Sequence, residues 1–117
     1  MTPSTTTYSR GDVVFVPFRF TERASSKNRP AVIISTGAYH DSRNEVVIAG
    51  VTSNTAQRGF VGQAPIVDWQ VTGLMMPSVV SGIIMTVHKS KIGSRIGALA
   101  GPDMQGLDAA LRQVLGL

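Results

Sequence analysis

Six short runs rich in β-branched residues, broken by polar loops, precede a single stretch of helical periodicity. That order leaves no place for repeated strand–helix–strand units. It points to a mainly β fold, a small and strongly bent barrel with one terminal helix. Residues 12–18 (DVVFVPF), 30–35 (PAVIIS), 45–51 (EVVIAGV), 63–67, 79–87 (VVSGIIMTV) and 91–96 are the expected strands. Pro17 suggests a sheet edge or a strand exit, because it has no N–H to give a ladder. Gly82 suggests a bulge within its strand. The intervals 19–28 and 52–62 read as polar loops, 36–44 as a turn, and 74–78 as irregular around Pro77. Leu107, Ala110, Leu111 and Val114 recur at helical spacing, so residues 103–115 are expected to be helical, with Asp103 as the cap.

Length then limits the organisation. A chain of 117 residues fits one domain. Residues 1–10 are small, polar and unpatterned, which suggests a flexible leader before a domain at 11–117. That leader has no apolar core of a signal peptide, and no apolar stretch approaches the roughly 20 residues that span a bilayer. A cytoplasmic protein with no membrane partner is the expectation. There is no cysteine, which excludes disulfides and thiolate metal sites.

Common catalytic signatures are missing: no GxSxG, no HExxH, no Walker loop and no GxGxxG after a strand. The two histidines, His40 and His88, cannot make a zinc site by themselves. The seven carboxylates are scattered, so clustered divalent-metal chemistry is not expected, and no metal or cofactor is implied. The formal charge is +4, and eight of the eleven basic residues are arginine. Guanidinium matches phosphate bidentately and stacks on bases, which leans towards nucleic acid. The lean is modest, since many small proteins carry such a charge.

More informative is one ordered series of segments. RGDVVFVPF at 10–18 precedes a basic loop; KNRPAVIIS follows at 27–35, and VTSN at 51–54. Gly73, Leu74, Ser78, Val79 and Val80 come later, and the helical stretch closes the chain. The series resembles the MazF/PemK family of toxin endoribonucleases, the mRNA interferases of type II toxin–antitoxin systems. The likeness runs from Arg10 onward. It implies an SH3-like barrel, a homodimer, and sequence-specific cleavage of single-stranded RNA without metal. In such cleavage the RNA 2′-OH attacks the adjacent phosphate, leaving a 2′,3′-cyclic phosphate and a 5′-OH end; translation and growth then stop. The resemblance also implies an acidic, partly disordered antitoxin as partner.

Carried onto this sequence, the family's catalytic residues are Arg29 and Thr52. The residue types suit the chemistry. A guanidinium can hold two oxygens of a phosphorane and offset its added charge, and a hydroxyl can hydrogen-bond a non-bridging oxygen. Ser53 can do the same or simply hold the loop. One departure concerns the general base. Some relatives carry an acidic residue close before the arginine, whereas Glu22 stands seven positions earlier. Glu22 is the candidate base, with a solvated loop carboxylate as the other reading. His88 could shuttle a proton at neutral pH or be structural. Lys27, Asn28, Arg58, Lys89 and Lys91 are candidates for positioning RNA through its phosphates. Phe20 and Phe60, in the two polar loops, are candidates for stacking bases, and Trp69 for stacking or for sealing the barrel. Leu74, Met75 and Met76 suggest an adaptable interface or core filling. Two further readings stay open: a non-nucleolytic toxin of the CcdB kind, and a nucleic-acid-binding SH3-like module without toxicity.

Overall fold

A computed structural model of the chain describes residues 8–18, 27–56 and 59–117. The strands are β1 (Asp12–Phe18), β2 (Lys27–Ile33), β3 (Glu45–Thr52), β4 (Ala64–Ile66), β5 (Ser78–His88) and β6 (Arg95–Ala98). They form one antiparallel sheet in the order β4-β5-β3-β2-β1-β6. Two helices accompany them, α1 (Gly37–Ser42) and α2 (Gly101–Leu115). The mainly β architecture with a C-terminal helix expected from the sequence is what the chain forms.

The sheet is apolar on both faces because it curls. Val13, Val32, Ala49, Val51, Ile66 and Val80 pack with Leu99, Leu107 and Ala110 under α2. Val14, Val16, Ala31, Ile33, Val46 and Ile48 form a second cluster on the other side. Strand β1 feeds both clusters from alternate residues, as its period of two requires. Leu107 is fully buried, and a side chain of that size contributes about 1.5–3 kcal/mol relative to exposure.

Two glycine contacts bring the far end of the sheet round to β6. After β4 the chain makes a 3-10 turn at Trp69–Thr72 and reaches Gly73 at φ 83°. A Cβ on Gly73 would lie 2.2 Å from the Ile96 carbonyl oxygen, and one on Gly97 would lie 2.2 Å from that of Thr72. No side chain fits at either point, so the turn lies directly on β6. Gly82, at φ 86°, sits where the β3–β5 register shifts between Ala49 and Val51, which is the expected bulge. β6 pairs with β1 only from Asp12 to Val14, so Pro17 lies beyond that pairing.

Several boundaries differ from the sequence reading, each for a local reason. β2 begins at Lys27, because Lys27 and Asn28 pair with Phe18 and Pro17 of β1. Residues 37–42, read as turn, are helical; the Thr36 hydroxyl accepts from the Tyr39 N–H at 3.4 Å. β6 starts at Arg95, because residues 89–91 form a 3-10 turn capped by His88. Helix α2 begins at Gly101 with Ala100 as cap. Asp103 stands inside its first turn, buried, and its carboxylate accepts from the Val67 and Asp68 N–H groups at 3.0 and 2.9 Å. It fastens the exit of β4 instead of capping its own helix. Of the residues at helical spacing, Leu107 and Ala110 are buried and Val114 is exposed. Tyr8 packs on the second core cluster, and Arg10 ion-pairs with Asp108 of α2 at 2.6 Å, so the last residues of the expected leader belong to the fold.

Candidate active site

The β2–β3 pairing covers Ala31–Gly50 to Ile33–Ile48. Past it, β2 carries Arg29 and β3 carries Thr52, and both line one cleft of about 240 Å³ with Ser53. Residues 23 positions apart in sequence are thus neighbours because their strands are. Phe15, Pro30, Val51 and Ile96 supply the apolar lining. Gly73, Leu74, Met75 and Met76 form the facing wall. That wall is held by the preceding turn: the Thr72 hydroxyl donates to the Trp69 carbonyl and accepts from the Leu74 N–H at 3.2 Å. The Ser78 hydroxyl donates to the Met76 carbonyl at 2.9 Å.

Thr52 is oriented by its own turn. Its hydroxyl oxygen accepts from the Asn54 N–H at 3.1 Å, and the Asn54 side-chain oxygen accepts from the Ala56 N–H at 3.3 Å. A hydroxyl has one proton to donate and two lone pairs. With one lone pair engaged by the turn, the Thr52 O–H can still donate to an incoming oxygen. Arg29 is exposed, so its guanidinium stays hydrated on one side. An exposed cation beside an oriented hydroxyl is an arrangement that accepts an anionic oxygen.

The other expected residues fall in different places. Asn28 is exposed one position before Arg29, and Lys27 opens β2. Phe60 is exposed on the rim of a second, adjoining cavity. Trp69 is half-buried against the core cluster under α2, which makes it a packing residue. Met75 and Met76 are exposed and line the cleft. Phe20, Glu22 and Arg58 lie outside the described residues.

His88 and Lys89 are not brought to the cleft. On β3, Thr52 pairs with Val79, whereas His88 pairs with Glu45 at the opposite end of the ladder. The His88 ring nitrogen Nδ1 accepts from the Ser90 N–H at 3.1 Å, and Lys89 Nζ donates to the His40 carbonyl. These groups hold a turn and a helix in place. Lys91 belongs to the same remote turn. Among the described residues, no three His, Cys, Asp or Glu side chains stand together as a metal site would need. Phe15, Ile96 and Gly73 complete the cleft without having been marked as site residues. Gly73 carried the available signal, since a glycine before an apolar run suits a positive φ.

Fold and cleft together define a small curled β-barrel with a C-terminal helix and a cationic, hydroxyl-lined cleft at the rim of its sheet. Residues 9–115 match the profile of the PemK-like, MazF-like toxin of type II toxin–antitoxin systems, and the chain belongs to that family. It is 36% identical over 94 residues to Endoribonuclease MazF6 of Mycobacterium tuberculosis, which covers 79% of this chain and 82% of the relative. In structure it superposes on the Mycobacterium tuberculosis toxin MazF-mt6 with a TM-score of 0.73 at 24% identity, covering 91% of this chain and 97% of that one. A mycobacterial endoribonuclease solved in complex with its cognate antitoxin gives a TM-score of 0.73 at 19% identity, with 97% of both chains covered. At these identities the structural likeness speaks for the fold.

Proposed function

We propose that this toxin cuts single-stranded RNA at the Arg29–Thr52 cleft by transesterification. The convergence of Arg29, Thr52 and Ser53 in one cleft carries the reading. The RNA 2′-oxygen attacks the adjacent phosphorus as the bond to the 5′-oxygen breaks. The products are a 2′,3′-cyclic phosphate and a 5′-OH. Arg29 holds two oxygens of the phosphorane and neutralises its added charge, and the Thr52 hydroxyl donates to a non-bridging oxygen. Glu22 takes the 2′-OH proton, and the leaving 5′-oxygen takes up a proton from solvent water. The reaction uses no metal ion, because the guanidinium supplies the charge a metal would bring. Family kinship adds the biological setting: a homodimer acting in the cytoplasm, arresting translation and growth, and neutralised by an acidic antitoxin drawn to a basic surface. Among the described residues no helix is long and apolar enough to cross a membrane.

The test is direct. Purified protein incubated with a long single-stranded RNA in EDTA should release fragments with 5′-OH and 2′,3′-cyclic phosphate ends. Arg29→Ala should lower the rate on the order of 10³-fold, the scale of losing a transition-state donor, with an unchanged circular dichroism spectrum. An Arg29→Ala protein that cuts as fast as the parent would overturn the assignment.

A further inference from the structure

Two methionines stand on the wall of the Arg29–Thr52 cleft, and the cleavage proposed there has no work for a thioether. Met75 is 93% exposed and Met76 52%, and both line the cleft. The chain has five methionines and no cysteine. A mild two-electron oxidant therefore finds no thiol, and methionine sulfur is its natural target; exposure then decides which one reacts. Met104 packs on the core cluster under α2, its sulfur over Gly11, where a Cβ would lie only 2.7 Å away. Met85 is 39% exposed and stands opposite Ile48, four positions along β3 from Thr52. Met1 lies outside the described residues. Among the described residues, the two most exposed methionines are thus the two in the cleft.

We infer that Met75 and Met76 form a redox modification site, at which conversion to the sulfoxide by a peroxide weakens the hold of the cleft on RNA. The inference rests on the proposed cleavage at Arg29 and Thr52. In the modification a methionine sulfur attacks one oxygen of hydrogen peroxide. The S–O bond forms as the O–O bond breaks, and the other oxygen leaves as water with the proton of the transferred one. Sulfur gives up two electrons and the peroxide takes them. An apolar side chain becomes a polar one with a strong acceptor oxygen. The backbone beneath the pair is pinned: Gly73 lies on Ile96, the Thr72 hydroxyl accepts from the Leu74 N–H at 3.2 Å, and the Ser78 hydroxyl donates to the Met76 carbonyl at 2.9 Å. The new oxygen is therefore presented to the cleft and not absorbed by a shift of the chain. In a cleft of about 240 Å³ shared with Arg29, it draws on the same guanidinium N–H donors that meet the phosphate. Methionine sulfoxide reductases return the thioether, one enzyme for each sulfoxide epimer, so the mark is reversible.

The experiment treats the full chain with dilute hydrogen peroxide. Peptide mass mapping over time should show Met75 and Met76 gaining one oxygen each before Met85 and Met104 do. Binding of an RNA made uncleavable by 2′-O-methyl groups should weaken on the order of 10-fold, the scale of one diverted hydrogen bond to a charged group. Single-turnover cleavage of unmodified RNA should fall in parallel, and both should return after treatment with the two reductases. In a double variant, Met75→Leu with Met76→Leu, the ratio of treated to untreated binding should stay near one whatever its starting affinity. Met85→Leu should remain as sensitive as the parent. Oxidation of Met85 or Met104 as early as the pair, oxidation of the pair with binding unaltered, or a peroxide effect that persists in the double variant overturns the site and leaves the cleavage reading intact. A parent that binds RNA, loses that binding on oxidation and yet cuts none overturns the cleavage reading and leaves the modification site standing. Failure of the untreated parent to bind RNA overturns both.

Discussion

At one end of the β3–β5 ladder Thr52 stands opposite Val79; at the other, Glu45 stands opposite His88. The ends are roughly 20 Å apart at ~3.3 Å per residue. The His88 end holds the richer set of titratable groups. Glu45 pairs with Arg43 at 3.0 Å, His88 caps the 3-10 turn, and Lys89 holds the carbonyl of His40. His40 is buried, with Nε2 on the Ser35 hydroxyl and Nδ1 at 3.3 Å from the Tyr8 carbonyl. A carbonyl only accepts, so Nδ1 carries a proton towards Tyr8, while Nε2 shares a hydrogen bond with the Ser35 hydroxyl. Ser35 in turn accepts from the Val47 N–H at 2.9 Å. At the Thr52 end the polar groups are fewer, yet the hydroxyl keeps a proton to give and opens on a cleft. The titratable groups of one end are spent on holding structure, and the fewer polar groups of the other face open space.

The same contrast explains what the sequence disclosed. β1 was legible in full, since DVVFVPF is β-branched and both core clusters draw on it. α1 was not, because six residues with one buried side chain show no apolar period. The start of β2 was hidden because Lys27 and Asn28 are polar; backbone pairing with β1 makes them extended. Arg29 and Thr52 were candidates through the family resemblance alone. Their meeting depends on β2 lying beside β3, and no local pattern states which strands are neighbours. His88 looked plausible for the complementary reason: a strand-end histidine does not reveal which end of the barrel it occupies.

If the cleft is the functional end, the largest effects fall there. Beyond Arg29→Ala, Arg29→Lys should lose on the order of 10²-fold in single-turnover cleavage, because charge survives but the two-pronged fork does not. Recovery of full activity by lysine would mean that Arg29 acts as a point charge. Thr52→Val should lose roughly 10- to 10²-fold, since the donor to the phosphate and the acceptor for the Asn54 N–H go together. Thr52→Ser should keep activity within a few-fold. If serine failed as valine does, the methyl group, not the hydroxyl, would be what matters.

At the other end stability should change and chemistry should not. His40→Leu removes the ring partner of the buried Ser35 hydroxyl and of the half-buried Tyr8 carbonyl. It should cost about 1–3 kcal/mol in denaturant unfolding, with cleavage per folded molecule unchanged. A parallel loss of activity would join the two ends functionally and break the comparison.

His88→Ala should have the smallest effect of the set. The ring is exposed, and among the described residues its hydrogen bonds reach Ser90, two residues away. Removing such a local cap costs on the order of 0.5–1 kcal/mol at most. Because a histidine is also the side chain best suited to proton transfer near neutral pH, the informative measurement is the cleavage rate across pH 5–9. Superimposable profiles for parent and His88→Ala fit a residue that closes a turn. A neutral-pH limb lost on substitution would place His88 in the chemistry, which a single protomer cannot bring about across the length of the ladder; the second protomer's His88 would then have to complete the cleft.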